Sequence, residues 1–150
     1  MAGEAVLLFG GIGNDSLKGD WYPDPGQSEW EMINSAGADT INGGDGNDTI
    51  EAVYGNDLAF GGIGDDFIHM DQGADTAQGD AGNDTIYGGA GEDSLSGGDG
   101  DDDLSGDDGD DIVDGGAGTD WMEDWSGHNL LSGGLGGDTI RTGWGDDTIS

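Results

Sequence analysis

Gly79-Asp80-Ala81-Gly82-Asn83-Asp84-Thr85-Ile86-Tyr87 runs straight into Gly88-Gly89-Ala90-Gly91-Glu92-Asp93-Ser94-Leu95-Ser96. The two stretches agree in kind at the first, fourth, sixth and eighth residues: glycine, glycine, aspartate, apolar. Extending the nine-residue frame both ways gives thirteen contiguous repeats from Asn34 to Ser150, with no insertion or deletion. Glycine holds the fourth position in every one. The sixth reads Asp39, Asp48, Asp57, Asp66, Asp75, Asp84, Asp93, Asp102, Asp111, Asp120, Asn129, Asp138 and Asp147. The eighth is always apolar: Ile41, Ile50, Ala59, Ile68, Ala77, Ile86, Leu95, Leu104, Val113, Met122, Leu131, Ile140 and Ile149. A short fixed period marks a solenoid, in which each repeat is one small unit stacked on the next.

Composition alone points elsewhere. With 34 acidic residues against 2 basic ones and 32% hydrophobic residues, the chain has the make-up of a disordered acidic segment. The strict repeat argues for order, and a formal charge of −32 in 150 residues then calls for cations among the carboxylates. Nucleic acid and anionic membranes are excluded as partners by the same charge. No apolar run approaches the roughly 18 to 20 residues that span a bilayer, and Ala5 to Phe9 is too short for the core of a signal peptide. The absence of cysteine removes disulfides as staples and leaves metal as the substitute in a chain too polar for a thick core. That balance is compatible with an exported protein.

Within a repeat, residues one to six are rich in Gly, Asp and Asn, the residues of tight turns and positive φ. Residues seven to nine carry the strand, as in Thr85-Ile86-Tyr87 and Thr139-Ile140-Arg141, and period-two alternation points only the middle side chain inward. One apolar residue in nine builds no ordinary core, but stacked coils align these side chains into a dry ladder. The expected fold is therefore all-β, a parallel β-solenoid. Its turns bring backbone carbonyls and crowded sixth-position carboxylates together, which a hard cation satisfies. Calcium accepts six to eight such oxygens at about 2.3 to 2.6 Å, whereas magnesium demands a tighter octahedron. Zinc and copper favour Cys and His, and the chain offers only His69 and His128, both read as ordinary surface histidines.

Gly43-Gly44-Asp45-Gly46-Asn47-Asp48-Thr49-Ile50 and Gly88-Gly89-Ala90-Gly91-Glu92-Asp93-Ser94-Leu95 resemble the GGxGxDxUx nonapeptide of the RTX, or haemolysin-type, calcium-binding repeats. The resemblance covers Asn34 to Ser150 and one earlier unit, Gly10 to Lys18, which contributes Asp15. It implies a right-handed parallel β-roll with two nonapeptides per turn, and calcium held between loops 18 residues apart. The sixth-position residues, Asp15 and Asn129 included, would supply side-chain ligands and neighbouring loop residues would supply carbonyls.

Two repeats per turn sort the loops into two columns. One contains Asp48, Asp66, Asp84, Asp102, Asp120 and Asp138, each repeat opening on glycine: Gly43, Gly61, Gly79, Gly97, Gly115 and Gly133. The other contains Asp39, Asp57, Asp75, Asp93, Asp111, Asn129 and Asp147 and departs often, opening on Asn34, Ala52, Met70, Asp124 and Thr142. Its sites are expected to be the weaker ones, especially beside Asn129, whose neutral amide carries no charge. About five gaps fall in the regular column and up to about seven in the other if Asp15 stacks above Asp39, so about ten or more ions are expected. About twelve would bring the formal charge to near −8, ordinary for a soluble domain.

Residues 1–150 read as one domain: a first repeat and an irregular segment over 1–33, then the thirteen repeats of 34–150. Gly19 to Ile33 holds both prolines, Pro23 and Pro25, with Trp21, Tyr22 and Trp30; it reads as a half-turn with a six-residue insertion, either a cap that shields the apolar ladder or, alternatively, a binding loop. Phe67, Ile112, Trp121 and Leu130 fall at the outward seventh position and Phe60 and Tyr87 at the outward ninth, where they pack on neighbours or mark a binding surface. No HExxH, no GxSxG and no cysteine nucleophile is present, and the acidic residues are accounted for by a metal ladder, so no enzyme is expected in this segment. The reading is a calcium-binding module that folds on binding multiple ions, part of a secreted bacterial protein by resemblance. The alternative is calcium-dependent recognition of a polysaccharide or cell surface; a flanking domain is the other partner in view. Ice recognition fails because Phe67, Asp103 and Trp121 interrupt the seventh-position threonines.

Overall fold

A computed structural model describes residues 7–13, 16–18 and 37–150. The described residues form sixteen strands and no helix: β1 Leu7–Ile12, β2 Ser16–Lys18, β3 Thr40–Asp45, β4 Thr49–Glu51, β5 Leu58–Ile63, β6 Phe67–His69, β7 Thr76–Ala81, β8 Thr85–Ala90, β9 Ser94–Asp99, β10 Asp103–Asp108, β11 Ile112–Gly118, β12 Trp121–Ser126, β13 Leu130–Ser132, β14 Leu135–Gly136, β15 Thr139–Trp144 and β16 Thr148–Ile149. They make two parallel sheets. One runs β1-β3-β5-β7-β9-β11-β13-β16, with β14 also paired to β11, and the other runs β2-β4-β6-β8-β10-β12-β15. From β3 onward partners lie 18 residues apart, as in Ala77↔Leu95 and Ile86↔Leu104. Two nonapeptides thus complete each turn of a parallel β-roll.

The strands are longer than the three residues expected. Most of the full ones run six residues, from the seventh position of one repeat through the third of the next. Burial along Thr85–Ala90 alternates, with Ile86 and Gly88 buried and Tyr87 and Gly89 half-exposed. The first position is therefore inward as well as the eighth, and the expectation of one inward residue per repeat is corrected. The interior holds the ladder Ile41, Ala59, Ala77, Leu95, Val113, Leu131 from one sheet and Ile50, Ile68, Ile86, Leu104, Met122 from the other. Ala52 and Met70, both first-position residues, are also fully buried, in the same turns that place Ala59 and Ala77 in the ladder.

Two positions demand a special backbone. At the fourth, Gly82 has φ +138°, and a Cβ there would lie 2.5 Å from the Gly64 carbonyl carbon of the preceding turn. At the second, φ is positive even without glycine: Asp80 at 72°, Asp107 at 72° and Val53 at 85°. Aspartate tolerates that region, whereas the branched Val53 is strained there.

The N-terminal register differs from expectation. Leu8 pairs with Ile41 and Leu17 with Ile50, offsets of 33 rather than 18. The unit Gly10 to Lys18 therefore belongs to the column of Asp48, not above Asp39, and the whole of Gly19 to Ile33 is extra to the closed turn rather than half-turn plus six. Asp15 and residues 19–33 themselves lie outside the described residues. One potential gap moves between columns and the total is unchanged.

Candidate metal centres between the turns

Each loop brings its sixth residue inward at the corner between the two sheets. The positions predicted as ligands that the structure describes form two columns of buried side chains, from Asp39 to Asn129 and from Asp48 to Asp120. Asp138 and Asp147, in the last turn, are half-buried. Within a column each side chain is tied to the turn before it. Oδ1 of Asp84 accepts a hydrogen bond from the Asp66 amide at 2.7 Å, Oδ1 of Asp102 from Asp84 at 2.8 Å, and Oδ1 of Asp93 from Asp75 at 2.8 Å.

The second oxygen is different. Oδ2 of Asp66, Asp75, Asp84, Asp93, Asp102, Asp111 and Asp120 is buried and accepts no hydrogen bond. A buried carboxylate oxygen in that state costs several kcal/mol by order of magnitude unless a proton or a cation meets it. These oxygens converge with backbone carbonyls on the space that the first-position glycines leave open. A Cβ added at Gly79 would overlap Asp84 Oδ2 and lie 2.6 Å from the Gly97 carbonyl oxygen. At Gly97 it would overlap Asp102 Oδ2 and lie 2.6 Å from the Gly115 oxygen. Carboxylate and carbonyl oxygens meeting at one void are the donor set of a hard cation. No three acidic or histidine side chains converge on one point among the described residues, so an ion here would draw on backbone oxygens too.

Electrostatics agree. Burial pushes the carboxyls of Asp75 and Asp84 up to about 7 and those of Asp66, Asp102 and Asp111 up to about 6, with neighbouring carboxylates adding to the rise and the amide hydrogen bonds opposing it. No cationic side chain answers them. Lys18 pairs with Glu51 on the surface, and Arg141 lies over the Trp121 ring at 4.4 Å.

Some departures from the pattern are local. In the less regular column the first position is apolar at Ala52 and Met70, while at Gly88 and Gly106 the absence of a Cβ leaves room for carboxylate oxygens. Asn129 shares the inward position and its Oδ1 accepts from the Asp111 amide at 2.9 Å, but the amide nitrogen stands where the others carry a second oxygen, donating to Ser126 O at 3.4 Å. His69 sits on the outer face, edge-on to Tyr87 at 6.0 Å, and His128 is exposed beside Asp110. Two features escaped sequence reasoning. Fifth-position side chains cap the following or stacked turn, as Asn83 Oδ1 does for the Asp101 amide at 2.9 Å and Asp65 Oδ1 for the Asn83 amide at 2.9 Å. Asp124 is also buried beside Asp111; its signal was a charge at a first position otherwise held by glycine or a small or apolar residue in the described turns.

Fold and oxygens together define a class: repeat proteins whose stacked turns are spaced by hard cations. No curated protein matches the chain. The RTX calcium-binding nonapeptide repeat (four copies) matches at residues 7–21, 33–68, 51–77, 71–104, 91–122 and 126–150. The chain belongs to that family, and it is a calcium-binding repeat module. No helix among the described residues is long and apolar enough to cross a membrane.

Proposed function

We propose that this module is a calcium-driven folding element of a secreted bacterial protein, without catalysis of its own. The observation that carries the reading is the row of buried Oδ2 atoms with no hydrogen-bond partner, repeated every 18 residues. At Gly61, Gly79, Gly88, Gly97 and Gly115 such an oxygen from one turn meets a carbonyl from the next, so the donors come together only when the roll is wound. Calcium then stabilises the folded state selectively, and binding free energy is folding free energy. Sites of the extracellular kind lie near 0.1 to 1 mM, which fits a chain unfolded in a calcium-poor cytoplasm and folded outside.

The test is far-UV circular dichroism through a calcium titration, with magnesium and chelator-reversal controls and calorimetric stoichiometry. A cooperative coil-to-β transition specific to calcium, with about ten ions bound, supports the proposal. A chain fully folded in chelator refutes it. A second reading, recognition of a polysaccharide, is favoured by the outer cluster of Phe67, Tyr87 and His69, with ring centroids at 5.8 and 6.0 Å. Glycan arrays with and without calcium separate the two.

A further inference from the structure

Asn129 is the one sixth-position residue from Asp39 to Asp147 without a carboxylate, and the same repeat opens on Asp124. The two departures are related in space. Asp124 is fully buried, and neither of its oxygens has a hydrogen-bond partner of ordinary geometry. It reaches back toward the preceding turn. A Cβ added at Gly106 would overlap Asp124 Oδ2 and lie 2.6 Å from Asp111 Oδ2. Two buried carboxylate oxygens, Asp124 Oδ2 and Asp111 Oδ2, thus meet beside one glycine. In the same column, the void at Gly88 is bordered by Asp93 Oδ2 at 2.6 Å and the Gly106 carbonyl at 2.9 Å. At Gly106 a carboxylate is present where that carbonyl would be.

We propose that Asp124 is a calcium ligand, forming with Asp111 a two-carboxylate site between the turns at 106–111 and 124–129, one gap before the one where Asn129 lacks a carboxylate. The inference rests on the calcium-binding reading above. Like charges so close and so buried are held together only by a cation between them or by a shared proton, and oxygen donors in this number select a hard divalent ion. Asp124 thereby returns to the column, one gap earlier, the charge that Asn129 leaves out.

The experiment compares the full chain with Asp124→Gly, with Asp124→Asn and with the double variant Asp124→Gly/Asn129→Asp, by calorimetric calcium titration and calcium-dependent circular dichroism. Asp124→Gly restores the residue found at Gly88 and Gly106, so the fold is retained at high calcium; should it fail, Asp124→Asn keeps the shape and removes the charge. Both single variants are expected to weaken one site by about tenfold or more, since site affinity follows ligand charge; in Asp124→Gly that site becomes the carboxylate-and-carbonyl kind found at Gly88. In the double variant the carboxylate moves to the gap beside residue 129, so the affinity lost at Gly106 is expected to be offset by a gain at the following site. Unchanged stoichiometry and unchanged calcium midpoint in both single variants would overturn the proposal. That outcome is distinct from failure of the general reading, in which the unaltered chain would bind no calcium at all.

Discussion

Asp84→Asn isolates the contribution of one carboxylate charge, because the substitution keeps every atom in place except one. Oδ1 continues to accept from the Asp66 amide, now at 2.7 Å. The second oxygen, buried and without a partner, becomes an amide nitrogen aimed at the Gly97 carbonyl side of the void. A donor group replaces a ligand and one negative charge is gone. The magnitude follows from linkage. With a dissociation constant near 0.1 mM and calcium at about 10 mM, one site contributes about 2.7 kcal/mol to the folded state. For a chain of this length that is roughly 5 to 10 °C in the melting temperature.

The assay is a thermal melt at about 10 mM calcium beside calorimetric stoichiometry, repeated in chelator. In calcium the variant is expected to lose about one ion and the stated stability. In chelator the sign reverses, since Asp84 is raised to about 7 by burial and by Asp66 and Asp102, and removing its charge relieves that conflict. A variant with the same stoichiometry and the same melt in calcium would refute the assignment of Oδ2 to an ion. A variant destabilised equally in both conditions would show a packing role instead.

Other consequences are equally direct. Ile86→Ala removes a fully buried side chain stacked between Ile68 and Leu104, and is expected to cost about 2 to 5 kcal/mol in calcium, read by thermal melt against the unaltered chain. Gly82→Ala places a Cβ against the Gly64 carbonyl at positive φ and is expected to cost at least about 1 to 3 kcal/mol, whereas Gly137→Ala meets nothing within 4 Å and is expected to be nearly neutral. The metal-free roll is expected to be favoured by acid. Carboxyls raised to about 6 or 7 in the folded state, from 3.8, contribute stability below their unfolded value and lose it as pH rises through 6 to 7. Circular dichroism in chelator from pH 8 down to pH 4 checks that sign. The calcium form moves the other way, with apparent affinity falling and proton release growing as pH drops below about 7.

The ladder and the columns were legible because an 18-residue translation places identical positions on top of one another: Ile68 over Ile86, Asp66 over Asp84. What lay beyond the pattern was the geometry between positions. The first-position glycines read as turn residues, yet Gly88 is inside a strand with its missing Cβ facing Asp93, so their smallness serves the ion void as much as the turn. The first strand was missed although Leu7-Leu8-Phe9-Gly10-Gly11-Ile12 parallels Leu58-Ala59-Phe60-Gly61-Gly62-Ile63, because Met1 to Val6 has neither the fourth-position glycine nor the sixth-position aspartate. The column of the Gly10 to Lys18 unit depends on where the chain returns after residues 19–33, which no local pattern states. Asp124 looked like a degraded glycine, since nothing in one dimension says that its side chain meets Asp111.

The hydrogen-bond direction gives the roll its cooperativity. Oδ1 of Asp84 reaches back to the turn of Asp66, while Oδ2 faces the void shared with Gly97 in the turn that follows. One side chain therefore contacts three successive turns, and ordering it for one ion also places the Asp66 amide and the backbone around the next void. Neighbouring sites are coupled through shared residues, and the stack behaves as a one-dimensional array with favourable nearest-neighbour interfaces. In such an array an interior defect divides the column into two shorter stretches, whereas a terminal one trims an end. Asn129 is an interior defect of that kind. It keeps the backward hydrogen bond to Asp111 and loses only the charge, and Asp124 places a second carboxylate one gap earlier, beside Asp111. Continuity of the column through the turns at 106–111 and 124–129 then depends on two residues sharing what one aspartate does elsewhere.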